Sequence, residues 1–298
     1  MNKSLQSITR ALSHKEESFK DIMINGIKTN SLDIEKGDLF IAIKGHNKDG
    51  HDFIFDAINS GANAIISNGR SIGKVKVPQI KVANPRRAAS LVAAEFYDHP
   101  TKDLTVVGIT GTNGKTTTSS LLYSILNKAG YKTAQLGTLG LKYPGFKQEH
   151  SLTTPDAISL QKSFSELKRN GISHIVMEVS SHSLDQYRVA DIDYNIGIFT
   201  NLAPEHLDYH SSMESYFKAK SRLFKMLSVH STAIINVSNS YGKRMIKETT
   251  APYITFSKND KNSVHFSKRN CTISGISGTI IANDTKYEIN SKLVGEFN

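Results

Sequence analysis

Blocks of apolar residues separated by polar, glycine-bearing turns run the length of the chain, and their periods predict strands and helices in alternation. Leu104, Val106, Val107 and Ile109 make a short apolar run of the kind found in a parallel strand covered on both faces. Leu121, Leu122, Ile125, Leu126 and Ala129 follow at helical spacing, and Gly130 suits the end of that helix. Upstream, Leu39 to Ile43 and Ala64 to Ile66 predict strands, and Phe53 to Ser60 a helix stopped at Gly61. Asn84 and Pro85 supply an N-cap and a proline at the first helical position, opening a helix through Tyr97. His99-Pro100-Thr101 breaks it and is the expected linker. Two domains follow from this pattern, a small α/β domain over residues 1–100 and a larger one over residues 101–298.

In the second domain Thr154 is placed to cap a helix begun by Pro155 and Asp156, with Ile158, Leu160, Phe164 and Leu167 on its apolar face and Gly171 at its end. His174 to Val179, Tyr194 to Thr200 and Ala233 to Ile235 predict strands, and Ser212 caps a helix from Met213 to Leu227. Such alternation argues for a mostly parallel sheet with helices on both faces and ligands at the strand C-termini. From Ser263 onward, short alternating segments with turns at Gly275, Gly278 and Asn283-Asp284 predict a small antiparallel sheet.

Composition narrows the partners. The formal charge of +10 favours anionic ligands, but the lysines are scattered and no arginine-rich or aromatic-interleaved basic tract tracks a nucleic-acid backbone. Cys271 is the sole cysteine, so no internal disulfide forms. Met1 to Ser18 is polar, and no apolar stretch reaches membrane-spanning length. The expectation is a cytoplasmic monomer that binds neither nucleic acid nor membrane.

The chemistry centres on Gly108-Ile109-Thr110-Gly111-Thr112-Asn113-Gly114-Lys115-Thr116-Thr117, between the predicted strand and helix. The pattern G-x-x-x-x-G-K-[ST] is not met, because Ile109 stands five before Gly114; what remains is a shortened Gly-x-x-Gly-Lys-Thr turn. Glycines there let backbone N–H groups approach phosphate oxygens, the helix N-terminus adds positive potential, and Lys115 adds a full charge. Thr116 then offers its hydroxyl to magnesium. Glu178 ends an apolar strand, where its carboxylate needs a metal ion, solvent or an arginine. Lys220 interrupts the stripe Met213, Tyr216, Phe217, Leu223, Phe224 and Leu227, and either snorkels to solvent or is functional. Desolvation lowers an amine's pKa, and a neutral amine can add carbon dioxide to give a carbamate with two hard oxygen ligands. His206 and His210 stand four apart, as a metal pair on a helix or as ordinary packing. Ser180-Ser181-His182 invites a serine-hydrolase reading, which the absence of Gly-x-Ser-x-Gly and the adjoining phosphate turn reject.

Taken in order, Gly111 to Thr117, Thr153-Thr154-Pro155, Glu178-Val179-Ser180-Ser181-His182, Arg188, Thr200-Asn201-Leu202, His206-Leu207-Asp208-Tyr209-His210 and Tyr216-x-x-Ala219-Lys220 resemble the Mur ligase family. Lys36 to Gly45 and Asp49 to Phe53 look like that family's N-terminal UDP-binding domain. Folylpolyglutamate synthetases share the shortened turn but lack this domain and Ser180-Ser181-His182. The resemblance implies an N-terminal UDP-binding domain, a central ATP-binding domain, and ATP-dependent addition of a diamino acid, L-lysine or meso-diaminopimelate, to UDP-MurNAc-L-Ala-D-Glu in peptidoglycan synthesis. It implies ATP on Gly111, Thr112, Asn113, Gly114, Lys115, Thr116 and Thr117, and the UDP-linked substrate on Ser31, Thr153, Thr154, Ser180, Gln186 and Arg188. It also implies a catalytic set of Lys115, Glu178, His206 and Lys220, with Mg2+ on Thr116, Glu178, His206 and the carbamate of Lys220.

This chain departs from the family pattern at Asn30-Ser31-Leu32, at Glu205, where the family has an aspartate, and at Asn236-Val237-Ser238-Asn239. Leu293 to Asn298 looks like the start of a linker into the family's third, Rossmann-like domain, so that domain is expected to be missing and ligation by this chain incomplete. The alternative expectation is a non-catalytic UDP-sugar and nucleotide-binding module of the same descent.

Overall fold

The computed structural model describes residues 2–12, 22–45, 47–70, 73–148, 152–257 and 263–294. Gly295 to Asn298, the distal part of the expected linker, lie outside the described residues. The chain folds as two compact units, one of residues 1–100, 155–170 and 186–192, the other of residues 101–154, 171–185 and 193–298. A single cut at residue 100 therefore gives the first crossing between the units but not the two later returns.

The first unit holds a four-stranded parallel sheet of β1 (Ile27–Lys28), β2 (Leu39–Ile41), β3 (Ala64–Ser67) and β4 (Gln79–Lys81), in that order. Both faces are covered. Leu39, Ile41, Ala64 and Ile66 pack with Val92 and Phe96, while Phe40, Ala42 and Ile65 pack with Ile54 and Ala57 on the opposite face. Period-two alternation of apolar residues makes such a strand read as a continuous run. The helix Pro85–Phe96 begins as expected, with Asn84 Oδ1 accepting from the N–H of Arg87 at 3.1 Å. The helix Ala157–Arg169 is capped by Asp156 rather than Thr154: Asp156 Oδ1 accepts from the N–H groups of Ile158 and Ser159, each at 3.0 Å. The segment 186–192 is tied into this unit by the Arg87–Asp191 ion pair.

The second unit is built on an 11-stranded sheet. Its strands are β5 (Thr105–Thr110), β6 (Thr133–Gly137), β7 (Gly140–Tyr143), β8 (Phe146–Gln148), β9 (His174–Glu178), β10 (Ile196–Phe199), β11 (Thr232–Asn236), β12 (Tyr253–Ser257), β13 (Val264–Thr272), β14 (Gly275–Ala282) and β15 (Thr285–Ser291). The order is β8-β7-β6-β9-β5-β10-β11-β12-β13-β14-β15, parallel from β6 to β13 and antiparallel at both margins. Glu178 is paired with Ile109, and Phe199 with Thr110, so the C-terminal ends of β9, β5 and β10 share one edge. Open parallel sheets bind ligands at that edge.

Two expectations are corrected here. The helix Lys115–Lys128 packs half-buried Leu122 and Leu126 against Val107, Ile109 and Val176, but Leu121 and Ile125 stay exposed. The tail is antiparallel as expected, and because Phe256 and Ser257 pair with Val264 and His265 it continues the main sheet. Within that tail Gly278 lies inside β14 rather than in a turn; a Cβ there would sit 2.3 Å from the carbonyl oxygen of Lys268. Among the described residues no helix is long and apolar enough to cross a membrane.

Candidate phosphate and metal site

The turn after β5 has the backbone that its glycines permit. Gly114 is left-handed (φ 85°) and caps the helix Lys115–Lys128, while a Cβ on Gly111 would fall 1.9 Å from Thr200 Oγ1. The start of the segment after β10 clamps this turn. Thr200 Oγ1 donates to the carbonyl of Asn113 at 2.6 Å, and the Asn201 side chain both accepts from Asn113 N–H at 2.9 Å and donates to Asn113 O at 3.1 Å. Lys115 folds back over the loop, donating to the carbonyls of Gly111 and Thr112 at 2.9 and 2.8 Å. Burial holds its amine below the ordinary lysine value, against the opposing pull of Glu205 and Glu178.

Glu178 is fully buried, and the structure meets its charge with three donors. Thr116 Oγ1 and Thr138 Oγ1 donate to Oε2 at 3.0 and 3.1 Å, and Thr138 N–H donates to Oε1 at 3.1 Å. Gly137 makes room for it, since a Cβ there would lie 2.3 Å from Oε1. Because Thr116 spends its proton on Glu178, the lone pairs of its oxygen face away from that bond. A hydroxyl and a carboxylate oxygen 3.0 Å apart are a hard-oxygen pair of the kind magnesium takes, and the residues present fit that ion.

Lys220 does not snorkel. It is 1% exposed, donates to Gly111 O at 2.8 Å, and lies 4.5 Å above the ring of Tyr216. Burial drives its amine well below the usual value, the charge of Lys115 adds to the shift, and Glu205 opposes it. His206 is left-handed (φ 54°) at the start of the single helical turn Leu207–His210. His206 and His210 are not a paired metal site: His210 is buried with Nε2 2.9 Å from Ser181 Oγ, whereas His206 Nε2 lies 3.8 Å from Glu205 Oε2. No group of three or more His, Cys, Asp or Glu suited to a metal occurs among the described residues, so oxygen donors of other kinds must complete any site.

Lys115, Thr116, Glu178, His206 and Lys220, named from the sequence, line one cavity of about 340 Å³. Thr112, Asn113, Gly114, Thr117, Thr153 and Ser180 line it as well. Gly111 and Thr154 act from behind its wall. Gly111 gives its carbonyl to both lysines, and Thr154 donates to Glu178 O at 2.9 Å while accepting from Ser180 N–H at 3.2 Å. Ser31, Gln186 and Arg188 belong to the first unit, where Arg188 Nη2 donates to Gln186 Oε1 at 2.6 Å and Ser31 is buried in a short helical turn capped by Asn30. Four lining residues were given no role from the sequence: Thr138, Ser181, Glu205 and Tyr216. Tyr216 stands one helical turn before Lys220, a visible signal, while Thr138 follows a strand with nothing local to mark it.

Fold and cavity define an α/β protein with a shortened phosphate-binding turn, whose pocket gathers two lysines, two carboxylates and a histidine. The family profile described as Mur ligase middle domain matches residues 109–298, and that of the Mur ligase family, catalytic domain, matches residues 23–97. The chain belongs to the Mur ligase family. It is 40% identical over 284 residues to a Nostoc protein named UDP-N-acetylmuramoyl-L-alanyl-D-glutamate--2,6-diaminopimelate ligase, covering 93% of this chain and 57% of the relative. A protein of the same name from Geobacter metallireducens is 38% identical over 281 residues, 92% of this chain and 55% of its own length. A solved structure of a ligase of that name superposes with a TM-score of 0.87 at 26% identity, covering 100% of this chain and 61% of that one. MurF from Acinetobacter baumannii shares the fold, with a TM-score of 0.70 at 20% identity over 100% of this chain and 62% of its own. The chain thus spans a little over half the length of the curated relatives it matches.

Proposed function

We propose that this chain carries the UDP-substrate and ATP-binding portion of a MurE-type ligase, an ATP-dependent enzyme joining a diamino acid to UDP-MurNAc-L-Ala-D-Glu. The observation that carries the reading is the convergence of Lys115, Thr116, Glu178, His206 and Lys220 on one cavity beside the phosphate-binding turn. The names of the relatives favour 2,6-diaminopimelate as the amine, with L-lysine the alternative.

In this reading the backbone of residues 111–117 and the Lys115 ammonium bind the triphosphate, Lys115 exchanging its loop carbonyls for phosphate oxygens. A substrate carboxylate oxygen attacks the γ-phosphorus and ADP leaves; the amine then attacks the acyl carbon, losing a proton as phosphate departs. Thr116 and Glu178 hold one magnesium ion, and His206 with Lys220 as its carbamate hold a second. Magnesium bound there supplies charge neutralisation on the phosphates. Lys220 suits carbamate formation because its buried amine is easily neutral, and only the neutral lone pair adds to carbon dioxide. Thr153 and Ser180 serve the muramoyl-dipeptide from the cavity wall, Thr154 fixes the Ser180 backbone, and Ser31, Gln186 and Arg188 are assigned to binding the UDP-linked substrate. The protein acts in the cytoplasm, where these nucleotides are made.

The test is calorimetric titration of the purified chain with ATP and Mg2+, and separately with UDP-MurNAc-L-Ala-D-Glu, followed by an assay for ADP release with each diamino acid and bicarbonate. Binding of both ligands, with ATP binding weakened by Lys115→Ala, is the expected result. Failure to bind ATP, or binding indifferent to Lys115, overturns the assignment. ADP release with one diamino acid but not the other fixes the amine.

A further inference from the structure

Of the two carboxylates on the cavity, Glu178 accepts three hydrogen bonds, whereas Glu205 is far less engaged. Glu205 accepts one long hydrogen bond, from Tyr216 Oη to Oε2 at 3.4 Å, and among the described residues Oε1 accepts none. An ionised carboxylate offers about four lone-pair sites, so most of its capacity is unspent. Its Oε2 lies 3.8 Å from His206 Nε2, and the two side chains are 42% and 47% exposed. Consecutive residues in extended chain point to opposite sides. Here both reach one cavity, and the left-handed backbone of His206 accompanies that arrangement. Tyr216 Oη, 3.3 Å from Thr112 Oγ1, pins the carboxylate to the phosphate-turn side of the cavity.

We propose that Glu205 is itself a ligand of the divalent cation held at His206, giving that ion a carboxylate oxygen beside the imidazole. This rests on the metal assignment made for His206 and Lys220. A carboxylate oxygen is the donor that magnesium or manganese takes, which the imidazole alone does not supply, and a ligand from the protein makes the site less dependent on the Lys220 carbamate. The charges agree: Lys115 places a cationic amine on the cavity, and the carboxylate of Glu205, which acts on it electrostatically, lets a cation enter beside it.

The experiment is Mn2+ binding followed by the loss of the free-ion electron paramagnetic resonance signal, with bicarbonate present and with and without ATP. It compares the natural chain with Glu205→Gln and Glu205→Asp, each checked for native circular dichroism. Glu205→Gln is expected to weaken Mn2+ at least tenfold, since even outer-sphere partners of metal ligands cost about 10–100-fold. Glu205→Asp, one methylene shorter, is expected to weaken it by an intermediate factor. Wild-type affinity in Glu205→Gln overturns the proposal and leaves the His206 site standing. No Mn2+ binding by the natural chain overturns the metal assignment itself.

Discussion

At Lys220 a side chain that ordinarily keeps its charge in water sits buried beneath the phosphate turn, with Gly111 O as acceptor and the Tyr216 ring below it. Burying such an amine costs stability, and removing it need not. Lys220→Met keeps the stem and drops the charge, while Gly111 O still accepts from Lys115. We expect urea melts of Lys220→Met to show stability within about 1 kcal/mol of the natural chain or above it, while Mg2+-dependent ATP affinity falls about tenfold or more. A large loss of stability instead would mean that Lys220 is structural. Gly137→Ala tests the opposite side of the cavity. Its Cβ would meet Glu178 Oε1, Cδ and Cγ at 2.3–2.6 Å, so Glu178 must leave the two threonines. We expect a destabilisation of about 1–3 kcal/mol, the usual range for overpacking, read by the same melts. Lys220 was conspicuous in the sequence because a charge interrupts an apolar stripe. Thr138 was not, because its role exists only once β6 lies beside β9.

Helices and strands near the site followed from local chemistry, and the errors came where two local signals competed. Thr154 and Asp156 flank Pro155, and either could cap the helix that follows. Asp156 does so because the Thr154 hydroxyl is engaged at the end of β9. Two substitutions separate these roles. Asp156→Ala is expected to cost about 1 kcal/mol and to raise hydrogen exchange at Ile158 and Ser159, while Thr154→Val is expected to raise exchange at Ser180 and leave the helix start protected. The reverse pattern would restore Thr154 as the cap. The helix after the phosphate turn misled differently: Leu121 and Ile125 share a spacing with half-buried Leu122 and Leu126, and periodicity alone does not say how wide the core-facing stripe is. The departure at Asn236-Val237-Ser238-Asn239 is locally satisfied. Asn236 Nδ2 donates to Thr200 O at 2.7 Å, and Asn239 caps the helix Ser240–Met245.

At the scale of the whole molecule, the break at residue 100 is written in His99-Pro100-Thr101, whereas the membership of residues 155–170 and 186–192 in the first unit depends on packing that no local pattern encodes. The same division predicts how the protein meets acid. In the second unit burial holds His174 and His210 below the ordinary imidazole value of 6.5; at His210 the charges of His182, Lys220 and His206 add to burial and Asp185 opposes them. Unfolded chains take up these protons near 6.5, so below that pH the unfolded state binds more protons and stability falls as pH falls toward the folded values. In the first unit the His51 backbone N–H, and then its ring, hold the Asp49 carboxyl below 3.8. That contribution is complete above 3.8 and is lost as pH drops through the lower folded value. We therefore expect hydrogen-exchange protection factors, normalised to the intrinsic rate at each pH, to fall in the second unit first as pH is lowered from 7, with Asp49-linked loosening of the first unit only at the acid end. His210→Gln should flatten the dependence below 6.5 and leave the acid limb, and Asp49→Asn should do the converse. Simultaneous loss of protection in both units, unmoved by either substitution, would assign acid sensitivity to the general rise in positive charge on a chain that already carries +10.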